Sequence, residues 1–313
     1  MLYYILRRLL TTIPVVLTVA VLVFALLRLT PGDPALMIAG DSANDAQLAQ
    51  IREHMGLERP LPVQFYLWAR QVSEGDFGKS LHSGTAVSSM IAARILPTLA
   101  LALSTIVFST LIAIPLGVFA AWFRGTRVDR AVMAFSVLGF SVPIFVTGYA
   151  LILLFSMKFG WLPVQGYKPL GDGLIPFLTH LILPTVTLST GFIALIARIS
   201  RSSILEVLGE DYIRTAKSKG VSNQTVLLSH ALHNSAVPII TVIGVSVALL
   251  ISGVVVTESV FNLPGLGRLV VESVLARDYP LIQALILLFS LFCIGVNLLI
   301  DILYLVFDPR IRY

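Results

Sequence analysis

The sequence predicts an all-α polytopic membrane protein with six transmembrane helices. Its composition is the first observation: 57% of the 313 residues are hydrophobic and 12% are charged, with a mean hydropathy of +0.90. A soluble domain carries about 25% charged residues. The second observation is a set of apolar runs, each long enough for the roughly 20 helical residues that cross a bilayer. They lie at 9–27, 96–122, 131–157, 175–197, 238–257 and 281–300.

Charge and cysteine content exclude several other classes of protein. The net charge of +5 arises from 22 basic and 17 acidic residues spread over the loops. A nucleic-acid-binding protein would concentrate basic residues on one face, so no nucleic-acid partner is expected. The single cysteine, Cys293, lies inside an apolar run, which excludes an intramolecular disulfide and a thiolate metal cluster.

The first apolar run follows a short N-terminal segment, residues 1–8, that contains Arg7 and Arg8. Because the run is longer than the roughly 7–15 apolar residues of a signal peptide, we interpret 9–27 as an uncleaved first span. Lys and Arg concentrate at both termini and in the segments 124–130 and 198–219. The positive-inside rule therefore predicts that 1–8, 308–313 and the polar stretch near residue 210 are cytoplasmic.

Residues 28–95 form a long connection that is predicted to be a folded extracytoplasmic cap. A helix is expected at 46–55, closed by Gly56, and further helical turns around Trp68 after Pro60 and Pro62. Residues 87–95 are expected to lead helically into the second span. The cap either receives a partner or merely covers the ends of the spans, and the sequence leaves both interpretations open.

Within the predicted core, residues 96–307, prolines and glycines interrupt the spans. Glycines such as Gly117, Gly244 and Gly253 would let neighbouring helices approach closely. The spans also carry hydroxyl groups that either line a path for a polar solute or bond to carbonyls of their own helix. The candidate path residues are Ser141, Thr147, Thr187, Ser246 and Ser252.

The longest polar interruption of the C-terminal half, residues 207–238, is predicted to form two short helices. Apolar residues at helical spacing from Leu205 to Ala216 predict an amphipathic helix at about 205–220, which Gly220 ends. Ser222 is placed to cap a second helix through 225–232. Two helices fixed between membrane spans would make a rigid projection that another subunit can push.

Motifs for catalysis or metal binding are weak. The segment 75–80, GDFGKS, lacks the first glycine of a phosphate-binding loop. His230 and His233 share a helical face but have no third ligand nearby, so no metal site, no cofactor and no enzymatic activity are expected in this chain. Glu258 and Asp301 lie near span ends, and helix packing is favoured over proton coupling for both.

The chain resembles, over essentially its whole length, the permease subunits of peptide, nickel and glutathione ABC importers, that is, the dipeptide and oligopeptide permease family. Each stretch that carries the resemblance is weak alone, but together they are specific. They are MLYYILRR (1–8), PGDP (31–34), GDFG (75–78), WLP (161–163), DYIRTAKSKG (211–220), NLPGLGR (262–268), RDYP (277–280) and DPRIRY (308–313).

The resemblance implies a type I ABC importer fold and a cytoplasmic coupling helix at about 205–220 that docks in a groove of an ATPase subunit. The general importer pattern there is Glu-Ala-Ala, three residues and Gly. Ala216 and Gly220 match it, whereas Arg214 and Thr215 stand where Glu and Ala are expected, so a salt bridge from that Glu does not carry over. The implied coupling residues are Glu210, Asp211, Tyr212, Arg214, Thr215, Ala216, Lys217 and Gly220.

The resemblance also implies the partners: a second similar permease, two ATPase subunits that bind ATP and Mg, an extracytoplasmic solute-binding protein and the lipid bilayer of a bacterial inner membrane. The expected function is passage of a peptide or similar small polar solute. The solute itself stays open among dipeptide, oligopeptide, glutathione and a nickel chelate. The alternative is a secondary carrier driven by an ion gradient.

Overall fold

The computed structural model describes residues 2–29, 52 and 59–307, and this part of the protein is helical. It contains no β-strand and one isolated bridge, between Lys79 and Ala86. The helix predicted at 46–55, the PGDP stretch and the C-terminal segment 308–313 lie outside the described residues. The helices predicted around Trp68 and from residue 87 onward are both confirmed.

The helices are named here in chain order. They are α1 (Leu2–Leu29), α2 (Leu61–Ser73), α3 (Val87–Trp122), α4 (Arg127–Ser141), α5 (Ile144–Leu151, continued by a π-helical Ile152–Lys158), α6 (Leu174–Leu208), α7 (Asp211–Ser218), α8 (Asn223–Thr225, π-helical Val226–Ala231 and Leu232–Asn234), α9 (Ala236–Val260), α10 (Leu266–Leu275) and α11 (Tyr279–Phe307).

The predicted third span, 131–157, is not one straight helix. Five helices in the described residues are long and apolar enough to cross a membrane, and a sixth span results if α4 and α5, bent by 103°, count as one. The bend lies at Val142, whose backbone is extended, before Pro143 at the N-cap of α5. A proline disfavours helical geometry in the preceding residue and removes a backbone donor, which explains the break.

The helix predicted at about 205–220 is divided in the structure. Residues 205–208 complete α6, Gly209 caps its end, and α7 begins only at Asp211. Glu210 has an extended backbone (φ −69°, ψ 148°) and serves as the N-cap of α7. The apolar residues at 205–208 therefore continue the long helix α6 and do not begin a separate short helix.

Packing divides the chain into two units, and the larger one comprises residues 96–268 and 296–313. Its centre is α6, which packs against α4, α5 and α9. Apolar side chains are buried over most of the helix, from Leu181 through Leu188 and Ile196 to Ile204. Side chains at three- and four-residue spacing on both sides of α6 are covered, so this helix is the core around which the unit is built.

The smaller unit comprises residues 2–95 and 269–295. Phe24 of α1 contacts Phe65 and Trp68 of α2, with ring centroids 5.3 and 5.7 Å away. The buried carboxylate of Asp278 accepts a hydrogen bond from the Ser80 hydroxyl. Part of the predicted cap is therefore folded onto α1 and onto the turn before α11.

Glycines bring helices of the larger unit together, as the sequence predicted. A Cβ atom added at Gly117 would lie 2.6 Å from Ser200 Cβ and 2.9 Å from the Ala197 carbonyl oxygen. At Gly253 it would lie 2.4 Å from Leu188 Cδ1. The first contact joins α3 to the backbone of α6, and the second joins α9 to a side chain of α6.

Replacing Gly117 with Ala is expected to destabilise the protein by about 1–3 kcal/mol, because the added methyl group overpacks the α3–α6 contact. The matched control is Gly295→Ala in α11, where no described atom lies within 4 Å of the added Cβ. The thermal midpoint of the purified protein in detergent measures the effect. Equal midpoints for the two variants would contradict the close contact.

Candidate functional site

The polar segment between α6 and α9 folds into two short helices, α7 and α8, which we call the elbow. Within α7 only Ile213 is buried, and it is completely covered. Asp211 lies in the first turn and Lys217 in the last, so both charges oppose the partial charges of the helix ends. One apolar anchor and matched end charges explain why an eight-residue helix is stable in this place.

Gly220 ends α7 as predicted. Its φ of +82° is left-handed, which a residue with a Cβ atom adopts only at a cost. The Gly220 N–H donates to the Lys217 carbonyl (3.0 Å) and the Val221 N–H to the Ala216 carbonyl (3.2 Å). This is the Schellman pattern, and it fixes the direction in which the chain leaves α7.

The second helix of the elbow begins at the predicted cap. The Ser222 hydroxyl accepts a hydrogen bond from the Thr225 N–H (3.2 Å). Leu227 of α8 is buried in a cluster with Ala121 and Ile204, which attaches the elbow to the ends of α3 and α6. The contacts of α8 thus involve three helices.

The outward side of α7 is polar. The Arg214 and Asp211 side chains pair at 3.2 Å, but their exposed fractions of 76% and 94% leave this ion pair weak. Ala216 is half-buried, and the Tyr212 hydroxyl accepts a hydrogen bond from Asn234 (3.0 Å). The structure thus brings all the predicted coupling residues to one short segment. The exposed ones are Glu210, Asp211, Tyr212, Arg214, Thr215, Lys217 and Gly220.

Behind the elbow lies an ion pair that the sequence interpretation missed. Arg201 of α6 donates two hydrogen bonds to Asp129 of α4, at 2.5 and 2.7 Å, and the Gly125 N–H donates a third at 2.9 Å. The side chain of Asp129 is 6% exposed and that of Arg201 22%. The available signal was Asp129 itself, an acid that lies between arginines in the first turn of α4. Its partner, Arg201, lies 72 positions away in the sequence.

The predicted path residues do not form a single polar group. The hydroxyls of Ser141 and Ser246 donate to carbonyls of their own helices, at 2.7 Å each. Thr187 is buried, and its hydroxyl has no hydrogen-bond partner within the described residues. Thr147 is half-buried and Ser252 is exposed. For Ser141 and Ser246 the structure therefore shows the second predicted alternative, a hydrogen bond to a carbonyl of the same helix.

Ser246 also lines a small internal cavity between α3, α6 and α9. Ser109 and Thr110 of α3 lie on the same cavity, and the Thr110 hydroxyl has no partner among the residues that the structure covers. Neither Ser109 nor Thr110 was among the predicted path residues. Their position near the middle of the predicted span 96–122 gave no signal that distinguishes them from other membrane-helix hydroxyls.

A bundle of membrane-spanning helices with a solvent-facing polar elbow between two of them is the architecture of a transporter's transmembrane component. Two family descriptions match the chain. Residues 113–313 match the binding-protein-dependent transport system inner membrane component family, and residues 1–102 match the N-terminal region of such membrane components. The chain belongs to this family, and the resemblance drawn from the sequence is confirmed.

Relatives align with the whole chain. The probable peptide ABC transporter permease protein y4tP of Sinorhizobium fredii (strain NGR234) is 53% identical over 310 residues, which is 99% of both chains. The glutathione transport system permease protein GsiC is 46% identical in Salmonella typhimurium and 44% in Escherichia coli K12, each over 100% of both chains. These matches give no support to a gradient-driven carrier.

The fold is shared with a solved transporter. A chain of the MetNI methionine ABC transporter, determined in inward-facing conformations, superposes with a TM-score of 0.59 at 17% sequence identity. The match covers 70% of this chain and 96% of that one. The predicted type I importer fold is thereby confirmed.

Removing one partner of the Arg201–Asp129 pair is expected to destabilise the protein strongly. Arg201→Gln leaves a buried carboxylate without its counter-charge and should cost about 3 kcal/mol. The double variant Asp129→Asn with Arg201→Gln carries no buried charge and should recover most of this loss. Unfolding by denaturant in mixed micelles measures the free-energy differences.

The control for this prediction is Arg214→Gln, which breaks the exposed ion pair of α7. It should leave stability nearly unchanged, because solvent screens exposed pairs. If Arg201→Gln were no more destabilising than Arg214→Gln, or if the double variant were the least stable of all, the pair would not hold α4 to α6.

Proposed function

We propose that this chain is the permease subunit of an ATP-driven importer, and that it forms the translocation path together with a second, similar permease. Its solute is a peptide or a related small polar molecule such as glutathione, delivered by an extracytoplasmic binding protein. Membership of the family and the names of the full-length relatives support this proposal. ATP and Mg are bound by two partner ATPase subunits rather than by this chain.

The observation that carries the proposal is the construction of the elbow. Helix α7 is anchored by buried Ile213 and ended by the fixed turn at Gly220, while its charged side chains face solvent. A surface of this kind transmits a push to α6 without bending. We therefore assign ATPase coupling to its exposed segment, with Glu210, Asp211, Tyr212, Arg214, Thr215, Ala216, Lys217 and Gly220 as the contact residues.

The elbow is assigned to the cytoplasmic side, together with residues 1–8 and 308–313. The positive-inside pattern supports this orientation, since Arg201, Arg214, Lys217 and Lys219 all lie in or beside the elbow. Residues 28–95 then form an extracytoplasmic cap, and the connections 159–173 and 261–265 lie at the extracytoplasmic ends of the spans. Residues 96–307 form the permease core.

The path itself is assigned to the surfaces of α4, α5, α6 and α9 that carry hydroxyl groups. A serine whose hydroxyl proton is used by its own helix, as in Ser141 and Ser246, still accepts a hydrogen bond from a solute N–H. Thr187 has no partner among the described residues and would become available when α5 and α6 separate. Thr147 and Ser252 complete the proposed set.

The coupling role is tested with Gly220→Pro and Arg214→Glu in the assembled transporter. Proline cannot adopt the positive φ of Gly220, and Glu at 214 repels Asp211 one turn away. Both variants should lose ATP-dependent uptake into proteoliposomes while the ATPase subunits remain bound. ATP hydrolysis and subunit stoichiometry are measured in the same samples.

The control is Arg127→Glu, a charge reversal at the exposed start of α4 on the same proposed side. It should transport normally, because it lies outside α7. Unchanged uptake in both elbow variants would refute the coupling role. Absence of any ATP-dependent uptake by the wild-type transporter with peptides or glutathione would refute the proposed solute class.

A further inference from the structure

Glu258 is the most buried ionisable group that the structure describes in the core, and the coupling and path assignments do not use it. It lies two residues before the end of α9 and is 0% exposed. Burying a carboxylate is expensive unless hydrogen bonds compensate for the lost water. The donors around it therefore indicate what it holds in place.

Those donors come from α3 and from the start of α10. Glu258 Oε1 accepts a hydrogen bond from the Thr98 hydroxyl (2.6 Å), and Oε2 accepts one from the Arg268 N–H (2.9 Å). The Thr98 oxygen in turn accepts the Leu266 N–H at 2.7 Å. The carboxylate and Thr98 thus hold the backbone that follows the α9–α10 connection at two points.

Two glycines are required by the carboxylate, one at the end of this connection and one in the first turn of α10. A Cβ atom at Gly265 would lie 2.0 Å from Glu258 Oε1. One at Gly267 would lie 2.7 Å from Val255 Cα and 3.0 Å from Glu258 Oε2. The two glycines of Gly-Leu-Gly therefore allow the main chain to lie directly on the acid, which explains both glycines of the NLPGLGR stretch by one contact.

The same connection closes over neighbouring helices of the core. The Leu263 N–H donates to the Glu258 carbonyl (2.9 Å), and the Phe261 carbonyl accepts from Gly166 N–H (3.0 Å). Phe261 and Leu263 are buried in the cluster that includes Leu188 of α6. The connection is thus held against α9 by the acid and against the 159–173 connection by a backbone bond.

This closure lies at the end of the spans opposite the elbow. Helix α6 leads from the 159–173 connection to α7, and α9 leads from α8 to Phe261. At 35 residues, α6 is about 52 Å long. The elbow and the α9–α10 connection therefore lie at opposite ends of the same helices, α6 and α9.

We propose that Glu258, acting through Thr98 and the Arg268 N–H, is a positioning residue that keeps the α9–α10 connection closed and makes transport depend on the binding protein. This inference rests on the proposed importer function. The latch, meaning the Glu258 carboxylate with its Thr98 and Arg268 donors, stabilises the resting state of the extracytoplasmic end. Weakening it lets that end open without the binding protein.

Glu258→Gln and Thr98→Val test the latch directly. Gln turns an N–H₂ group toward one of the two donors, and Val removes the hydroxyl while keeping the side-chain shape. Losing a hydrogen bond to a charged group should increase opening about tenfold. The variant Leu263→Cys, at a buried position and in a Cys293→Ser background, reports opening through its labelling rate with a membrane-impermeant thiol reagent.

In the reconstituted transporter both variants should raise ATP hydrolysis in the absence of binding protein and reduce its stimulation by the binding protein. Thr98→Ser keeps the hydroxyl and should behave as the wild type. Ser259→Ala, in the exposed residue next to Glu258, is the matched control. A role confined to folding would instead lower basal and stimulated hydrolysis together with the amount of assembled transporter.

The two proposals fail in different ways. If the wild type shows no stimulation by a binding protein while Glu258→Gln still accelerates labelling, the importer function fails and the latch remains. If labelling and basal hydrolysis in Glu258→Gln and Thr98→Val match Ser259→Ala, the latch is refuted. Failure of both latch variants to assemble while Thr98→Ser assembles would show a folding role and would also refute it.

Discussion

The burial of α6 from Leu181 to Ile204 is the constraint on which the larger unit depends. This helix is covered by α4, α5 and α9, with Gly117 lying against its backbone and Gly253 against its Leu188 side chain. Packing at this density transmits displacement instead of absorbing it. Pro184 lies inside the helix without breaking it, because the surrounding helices hold both halves in line. A force applied at Leu208 therefore reaches the connection before Leu174 through one element.

The two ends of this element are built from different chemistry. In α7 of the elbow, charged side chains face outward around a single buried anchor, Ile213. At the other end, a buried acid, Glu258, is bonded to neighbouring helices and main chain. The first arrangement suits contacts that form and break during a transport cycle, because a solvated side chain loses little free energy when its partner leaves. Contacts that define a resting state suit the second, because an unmade buried hydrogen bond is costly. This difference between the two ends agrees with a driving contact at the elbow and a restrained closure at the α9–α10 connection.

Local signals made much of this fold readable from the sequence. The apolar runs predicted the spans, and the turn at Gly220 and the cap at Ser222 were read from residue type and position, because each depends on neighbours within a few residues. The bend before Pro143 could not be read, since Pro97, Pro115 and Pro184 are tolerated inside continuous helices. The Asp129–Arg201 and Thr98–Glu258 contacts join positions 72 and 160 apart, and no local pattern indicates such pairs. For the same reason the hydroxyls of α3 near the internal cavity were overlooked.

Several hydroxyl groups of the larger unit are buried without a hydrogen-bond partner among the described residues. In the described residues Thr105, Thr110 and Thr187 bury hydroxyl oxygens that have no hydrogen-bond partner. Each such group costs about 1–3 kcal/mol while the helices are closed around it. Separation of α3, α6 and α9 would expose these groups to water or to a polar solute and remove that cost. These hydroxyls therefore favour separation of the helices, whereas the close helix contacts and the hydrogen bonds of Glu258 oppose it.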